Sequence, residues 1–408
     1  MRGAQRYGDW PLVGEERLVK HDEPLVRPIR LAVYTDYPYH EVDNRIFAER
    51  AFAVFLSRLS AYFERFAAIG RLAPSSEGSR YELGEHVDLV PLPYYARLSD
   101  PMPALRSMMG SFRRYSRVLG ETDRVWLLGP HPLVFPFALM ASLRKRPVIL
   151  GVREDLPEYV RARHPDRHFL QVVARVMAWG FRMMGRRCSV VAVGPSLAHT
   201  YRHSRRLLEI GVSLVGQVDI VAPESRQTDY GGRLNVISVG RLETEKNPLL
   251  LAEILARIVD RDPRWHLIVC GEGSLADTLE RRIRELGLED NVELRGYVPL
   301  DDGLKPLYRE CHMLLHVSWT EGLPQVLYEA FAAALPVVAT DVGGIADATG
   351  NAVSLVPPGD ADAAARALVE LAENEPLRRR LVEAGNALVR ETTIERECSR
   401  VAAFIAEA

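Results

Sequence analysis

The sequence predicts an α/β protein made of two domains, each built on a doubly wound parallel sheet. Short apolar segments alternate with helical segments along nearly the whole chain, which is typical of parallel sheets covered by helices. The alternation is broken once, by a polar stretch with proline and glycines that predicts a linker at 223–233. We therefore expect an N-terminal domain at 27–222 and a C-terminal domain at 234–390, with a ligand cleft between their strand ends.

The composition predicts a globular, cytoplasmic protein. Of the 408 residues, 47% are hydrophobic and 26% are charged, which is enough apolar mass for two full cores. No apolar run approaches the roughly 18 residues of a membrane span. The charged residues 1–26 predict an N-terminal extension rather than a secretory signal. The four cysteines are far apart, without a C-x-x-C pair, so we expect buried, reduced thiols.

Charge is divided unevenly along the chain, although the net charge is only −2. Residues 1–222 carry 32 Lys+Arg against 23 Asp+Glu, and the remainder carries 20 against 31. The balanced total argues against a nucleic-acid partner. A basic first half suits an anionic or lipid-linked acceptor and peripheral contact with a membrane, and scattered, solvated charge is the alternative.

In the N-terminal domain, apolar runs predict strands at 27–35, 86–92, 124–129, 147–151, 188–193 and 218–223. Helical spacing of apolar residues predicts helices at about 44–68, 101–119, 132–143, 167–184 and 195–209. The segment ARVMAWGFRMMGRR, at 174–187, mixes Met, Trp and Phe with Arg. A buried helix with a basic edge is the favoured interpretation, and a helix on a membrane surface is the alternative.

The C-terminal domain repeats the alternation more regularly. Strands are predicted at 234–240, 265–270, 291–295, 313–317, 336–340 and 353–356. Helices fill the gaps, and the chain is helical from about 361 to its end. The last helix, 391–408, is expected to cross back to the N-terminal domain.

The segment SWTEGLPQVLYE, at 318–329, combines an anion-binding loop with two carboxylates. Its proline predicts the start of a helix, because the missing N–H would have no partner at that position. The free N–H groups of Gly322, Leu323 and the first turn suit a phosphate, whereas Glu321 and Glu329 suit hydroxyl groups. A nucleotide sugar offers both kinds of group.

A second segment, GRLETEKNP at 240–248, supplies positive charge at another strand end. Arg241 and Lys246 can reach one point from the strand end and the helix start, and together they suit a diphosphate. Surface charges are the alternative. The glycine turn CGEGS, at 270–274, is interpreted as mainly structural and lines the cleft at most. The segment DVGG, at 341–344, fits either a structural turn or a ligand loop.

Several motifs occur together in one order: VGRL from 239, GEG from 271, NVELRGYV from 291, SWTEGLP from 318 and PVVATDVGG ending at 344. Over about 234–390 the chain thereby resembles the C-terminal domain of the retaining glycosyltransferase family 4, the group 1 glycosyltransferases. Glu321 and Glu329 match the family's E-x7-E signature. The resemblance implies the GT-B fold, in which two Rossmann-like domains face each other across a cleft.

The resemblance also implies a retaining, metal-independent glycosyltransferase of carbohydrate biosynthesis that uses a UDP- or GDP-sugar and no cofactor. Glu321 is its implied catalytic carboxylate, in contact with the donor sugar. The other donor-binding residues by the family's pattern are Arg241 and Lys246 at the diphosphate, Tyr297 and Val298 at the base, Gly322 and Leu323 at the sugar, and Glu329 at the ribose.

The first half departs from the family. The usual Gly-Gly loop after the first strand is replaced by YPYHEVDNR, at 37–45. His131 in the GPHP turn lies near where relatives place a histidine beside the transferred sugar, with a structural loop histidine as the alternative. Candidate acceptor-side residues are Asp36, His40, Arg153 and Glu154. The last two begin the run REDLPE, for which a solvated loop is the alternative.

Two other functions stay open on the sequence. One is a GT-B enzyme of another reaction, such as a nucleotide-sugar epimerase or a phosphorylase. The other is a non-catalytic sugar- or membrane-binding relative. His312 and His316 stand four apart on a predicted strand, but no metal site is expected from them.

Overall fold

The computed structural model describes residues 28–74, 81–95, 101–211, 213–226 and 229–408. The expected extension at 1–26 lies outside these ranges. Within them the chain forms two α/β domains, each with its own sheet. No helix in the described ranges has the length and apolar character needed to cross a membrane.

The N-terminal sheet is mainly parallel, with the order β5-β3-β1-β6-β7-β8-β9. In addition, β2 pairs antiparallel with the last residues of β1, and β4 pairs antiparallel with β2. Its strands are β1 (Arg30–Val42), β2 (Arg45–Ala48), β3 (Arg65–Leu72), β4 (Tyr81–Glu82), β5 (Val87–Leu92), β6 (Arg124–Gly129), β7 (Val148–Val152), β8 (Ser189–Val193) and β9 (Arg206–Ile210). Its helices are α1 (Phe52–Ser60), α2 (Pro101–Glu121), α3 (Val134–Leu143), α4 (Leu156–Arg163), α5 (His168–Gly185) and α6 (Pro195–Thr200).

The predicted helix at 44–68 is wrong. Asp43 and Asn44 both have positive φ, 50° and 60°, and Val42 pairs with Arg45 across them. This is the two-residue hairpin turn that Asp and Asn favour because they tolerate the left-handed region. The hairpin leaves only α1 as helix before β3 begins.

Two further predictions at the end of this domain are wrong. The helix expected at 195–209 ends at Thr200, and its second part is β9, which pairs with β8 at the sheet edge. The strand expected at 218–223 is absent from the described sheets and is replaced by 3-10 turns at 217–219 and 223–225. Its backbone bonds to the C-terminal domain instead, since Val221 N donates to Ala332 O at 2.7 Å.

The C-terminal sheet is parallel, with the order β12-β11-β10-β13-β14-β15. Its strands are β10 (Leu234–Val239), β11 (Trp265–Cys270), β12 (Val292–Leu294), β13 (Met313–His316), β14 (Val337–Thr340) and β15 (Ser354–Val356). Its helices are α7 (Leu249–Val259), α8 (Ala276–Glu285), α9 (Lys305–Glu310), α10 (Gln325–Ala332), α11 (Ile345–Thr349), α12 (Ala361–Glu373) and α13 (Glu375–Glu391). Each predicted strand of this domain is confirmed to within two residues.

A final helix, α14 (Ile394–Ala406), belongs to the N-terminal core although it ends the chain. Its apolar face, which includes Cys398, Val401 and Ile405, packs with α1 on one side of the N-terminal sheet. The helices α2, α3 and α5 cover the opposite side. Burial of these faces removes apolar surface from water and stabilises each layer.

Candidate active site

The carboxyl ends of the parallel strands in the two sheets line a cleft between the domains. From the C-terminal domain, the loop after β13 reaches the N-terminal domain, where a Cβ on Gly322 would lie 3.0 Å from the carbonyl oxygen of Arg153. The same loop also contacts Gly194 of the N-terminal domain. The Cβ of Leu323 lies 3.8 Å from the position that a Cβ on Gly194 would occupy. Open parallel sheets place ligands at such edges.

Glu321 lies at the centre of the C-terminal side of this cleft. Its Oε1 accepts hydrogen bonds from Lys246 Nζ at 2.5 Å and from Ser318 Oγ at 2.8 Å, and it lies 2.9 Å from His316 Nε2. The Glu321 side chain is only 7% exposed. Three elements, the turn after β10, the end of β13 and its loop, thus converge on one carboxylate oxygen.

The surroundings keep Glu321 ionised. Burial disfavours the charged form, but the Lys246 ammonium and the hydrogen bond with His316 outweigh it and hold the pKa of Glu321 well below its usual range. A buried carboxylate with a fixed negative charge can stabilise positive charge that develops on a sugar carbon.

A glycine turn holds this loop in place. Gly343, in the DVGG segment after β14, has φ +61°, and a Cβ there would lie 2.0 Å from the carbonyl oxygen of Glu321. Any other residue would clash with that backbone as well as strain its own. The DVGG turn therefore supports the Glu321 loop from behind.

Arg241 lies near the same cleft and is paired with Glu245. The Arg241 Nη2 donates to Glu245 Oε1 at 2.8 Å, and Arg163 from α4 in the N-terminal domain lies 4.0 Å from the same oxygen. Glu245 is 2% exposed, and its Oε2 has no hydrogen-bond partner among the described residues. Glu245 therefore lies between one guanidinium from each domain.

Glu329, on α10, is held by a tyrosine. Tyr308 OH from α9 donates to Glu329 Oε2 at 2.8 Å, and burial together with this carboxylate raises the pKa of Tyr308 well above its usual range. The tyrosine therefore stays protonated and fixes the carboxylate.

The expected base-binding residues, Tyr297 and Val298, follow β12 and are half-buried. Their segment lies against the glycine turn after β11, because Gly271 N donates to Gly296 O at 2.7 Å. A Cβ on Gly271 would lie 1.8 Å from Gly240 O, so glycine is required there for the turns after β10 and β11 to meet. Three successive strand ends thus form one surface.

On the N-terminal side, Asp36 and Arg153 come together. Arg153 Nη2 donates to Asp36 Oδ1 at 3.2 Å, and its guanidinium lies 4.8 Å from the ring centre of Tyr37. Arg71 donates to the carbonyl oxygens of Asp36 and Tyr95, each at 2.6 Å. The irregular middle of β1, the end of β3 and the residue after β7 therefore build a cationic wall opposite the Glu321 loop.

His40 and Glu154 lie apart from that pair. His40 is 3% exposed, with Nε2 3.6 Å from Glu49 Oε1. Glu154 is accessible in the cleft, and desolvation by the cleft walls raises the pKa of its carboxyl despite the opposing charge of Arg153. Of the run REDLPE, Asp155 has a structural role, since it caps α4 by accepting from Glu158 N at 3.1 Å.

His131 lies between two tyrosines. Tyr34 OH is 2.8 Å from Nδ1, and Tyr95 OH is 2.9 Å from Nε2. Leu133 N also donates to Nδ1, at 3.3 Å, so Nδ1 is the unprotonated nitrogen and Nε2–H points to Tyr95. A sugar that contacts His131 Nε2 must therefore replace the Tyr95 hydroxyl.

We expect His131 to make the protein acid-sensitive. Burial lowers its pKa to about 4, whereas an unfolded chain titrates near 6.5, so the unfolded state binds more protons between these values. Stability from this residue is complete above about pH 6.5, and the free energy of unfolding falls by about 3 kcal/mol as the pH drops to 4.

Unfolding by urea across pH 4–7 measures the slope of the free energy of unfolding against pH. His131→Gln should flatten it, and the exposed His199→Gln should not; equal slopes for all three proteins contradict this assignment.

Sequence reasoning missed several residues of the site. His316 was considered only as a metal ligand, yet its Nε2 contacts Glu321. The described residues contain no group of three or more His, Cys, Asp or Glu that could hold a metal ion. Tyr308 and Arg163 carried no sequence signal, because their partners lie on another helix or in the other domain. Glu245 was also missed, although it stands only four residues after its partner Arg241. His312 is structural, with both ring nitrogens at backbone atoms 3.0 Å away.

Two facing α/β domains, with cations and buried carboxylates at apposed strand ends, define the GT-B class. The comparison with solved structures agrees. Anabaena HepE, solved in complex with UDP and glucose, superposes with a TM-score of 0.69 at 16% identity, covering 93% of this chain and 100% of that one. Sucrose-phosphate synthase of Thermosynechococcus elongatus gives 0.70 at 18% identity, covering 93% and 99%.

A family model matches the second domain. Residues 224–387 match the family model described as glycosyl transferases group 1. The C-terminal domain is therefore similar to the group 1 glycosyl transferases, and the fold of the chain is GT-B.

Curated relatives match over the same part of the chain. The D-inositol 3-phosphate glycosyltransferase of Corynebacterium aurimucosum is 36% identical over 157 residues, which cover 36% of this chain and 37% of the relative. The mannosylfructose-phosphate synthase of Agrobacterium fabrum is 35% identical over 118 residues, covering 27% and 26%. The similarity therefore spans well under half the length of these relatives.

Proposed function

We propose that the protein is a retaining, metal-independent glycosyltransferase that moves a sugar from a UDP- or GDP-sugar to an acceptor bound by the N-terminal domain. The observation that carries this proposal is the buried, ionised Glu321 held by Lys246, on the same segment after β10 that carries Arg241. One carboxylate and two cations at the carboxyl ends of the neighbouring strands β10 and β13 suit a donor that carries both hydroxyls and a diphosphate.

The roles divide by charge. Lys246 and the guanidinium of Arg241 neutralise the departing diphosphate, and the N–H groups of Gly322 and Leu323 add further donors. Arg241 uses Nη2 for Glu245, which leaves donors on Nη1 and Nε for the phosphates. This arrangement supplies the positive charge that a metal ion provides in other transferases.

The proposed transfer occurs on one face of the sugar. The anomeric carbon's bond to the diphosphate oxygen breaks while its bond to the acceptor oxygen forms on the same side. The acceptor's proton passes to the departing diphosphate oxygen, so no base from the protein is needed. Glu321 stabilises the positive charge that develops on the sugar while these bonds break and form.

The donor class can be tested first by thermal shift. We expect one of UDP and GDP to raise the Tm in a concentration-dependent way, because a ligand that binds only the folded state stabilises it. The chosen sugar nucleotide is then incubated with EDTA, with and without candidate acceptors, and products are separated by mass. Transfer to an acceptor with retained configuration supports the proposal. Sugar isomerisation without an acceptor, or requirement for a divalent metal, contradicts it.

Glu329 is expected to recognise the ribose. Glu329→Ala should weaken binding of the ribonucleoside diphosphate by about tenfold, the effect of one lost charge-assisted hydrogen bond. Binding of the 2′,3′-dideoxy analogue should not change. Calorimetry with both ligands on both proteins gives the comparison. If the variant loses affinity equally for both ligands, Glu329 acts on folding and not on the hydroxyls.

A further inference from the structure

Helix α5 exposes an apolar stripe that nothing in the described structure covers. Its inner face packs on the sheet through Ala174, Phe181 and Gly185. A different face carries large apolar side chains spaced three and four residues apart. These residues, named the α5 stripe here, are Phe169, Val172, Val176, Trp179 and Met183. Phe169 is 77% exposed and Trp179 is 60% exposed, which is unusual for a row of such side chains on a monomer.

The neighbouring helix α3 contributes to the same layer. The rings of Phe135 and Phe181 pack edge to face at 5.0 Å and hold α3 beside α5. One and two turns beyond Phe135, Leu139 and Leu143 are also strongly exposed. The apolar surface therefore extends over two adjacent helices of the N-terminal domain.

Positive charge accompanies the α5 stripe. Arg175, Arg182 and Arg186 are exposed beside it, and residues 167–187 include no Asp or Glu. Among the described residues, none of these three arginines forms an ion pair with a carboxylate, and Arg186 Nη1 contacts only Met183 Sδ at 3.6 Å. These guanidinium groups are therefore available to anions outside the protein.

We propose that α5 is a membrane-docking helix that lies on an anionic lipid surface. The α5 stripe inserts among the acyl chains while Arg175, Arg182 and Arg186 contact lipid phosphates. An 18-residue helix is about 27 Å long, which suits a helix in the plane of the interface, with an aromatic residue at the head-group level and arginines beside it. An anionic bilayer matches the uninterrupted positive charge better than a protein partner, whose surface would present both signs.

This surface is on the same domain as the Asp36–Arg153 side of the cleft. Docking through α5 would hold that side near the lipid head groups, where a lipid-linked acceptor is concentrated. The docking itself does not depend on the proposed transfer reaction, and its test uses no enzyme activity.

The test compares two exposed valines with vesicles made of phosphatidylcholine with or without phosphatidylglycerol. Val176→Asp changes the α5 stripe, and Val218→Asp makes the same change on a valine that is 87% exposed in the segment between the domains. We expect the full-length protein and Val218→Asp to sediment with the anionic vesicles. Val176→Asp should lower the partition constant about tenfold or more, with its Tm unchanged because the residue is exposed.

Two further readouts separate insertion from simple attraction. Emission of Trp179 should shift to the blue on anionic vesicles, and Trp179→Phe should lose the shift while still sedimenting. Arg175→Gln with Arg182→Gln should weaken binding and its salt dependence, and Arg281→Gln with Arg379→Gln in the C-terminal domain should not. Equal binding by the two aspartate variants overturns the proposal. The proposal is also overturned if the protein self-associates, Val176→Asp abolishes that self-association, and no vesicle binding occurs. A second copy of the chain would then cover the α5 stripe.

Discussion

Glu321→Gln is expected to lower turnover about 10²–10³-fold, the usual effect of removing one preorganised charge from a transition state. The variant should bind the nucleoside diphosphate within about threefold of the original affinity, because that ligand lacks the sugar which Glu321 faces. The amide still accepts from Lys246 and Ser318, so the loop keeps two of its three contacts. Initial rates with the sugar nucleotide, together with calorimetry of the diphosphate alone, measure the two effects.

The matched control is Glu373→Gln, which removes an exposed carboxylate at the end of α12. It should leave both quantities unchanged. A Glu321→Gln variant with unaltered turnover removes this residue from the mechanism. If the variant loses diphosphate binding as severely as turnover, the role of Glu321 is to position Lys246 instead.

Arg241→Gln is expected to weaken binding of the nucleoside diphosphate about 10–100-fold, since charge-assisted hydrogen bonds contribute about 1.5–3 kcal/mol. Affinity for the nucleoside without phosphates should stay the same. The Arg241 side chain is 40% exposed, so its loss should affect folding little. Calorimetric titration with the diphosphate, the monophosphate and the nucleoside locates the lost interaction along the ligand.

Arg281→Gln is the control for this second substitution. Arg281 is exposed on α8 and donates to Thr278 Oγ1 at 3.2 Å. The Arg281→Gln variant should bind the diphosphate, the monophosphate and the nucleoside with the original affinities. Equal weakening of the nucleoside and the diphosphate in Arg241→Gln would place Arg241 away from the phosphates.

The C-terminal domain was predictable because its signals are local. Each strand is a short apolar run followed by a turn with glycine or a charged residue, and parallel pairing brings those turns to one edge. The convergence of Lys246 and Glu321, 75 residues apart, follows from that rule. Their contact at 2.5 Å confirms that these two residues lie together, although their roles toward a donor stay predictions.

The N-terminal domain was less predictable because tertiary pairing overrides helical spacing there. The run from Asn44 to Ala68 has apolar residues at helical intervals, yet Asp43 and Asn44 turn the chain back and β3 completes the sheet. For α5 the sequence favoured a buried helix, although apolar residues on two faces also fit a helix on a surface. The structure favours exposure, with only Ala174, Phe181 and Gly185 buried.

The return of α14 makes the N-terminal domain discontinuous in sequence. Ile394 N donates to Val215 O at 2.9 Å, so the two chain crossings run side by side. A fragment that ends at the linker would lack Val401 and Ile405, both fully buried in the N-terminal core. It would expose the α1 side of the sheet and should aggregate. Domain exchange between relatives of this fold therefore requires three segments, with the last helix taken from the same parent as the first half.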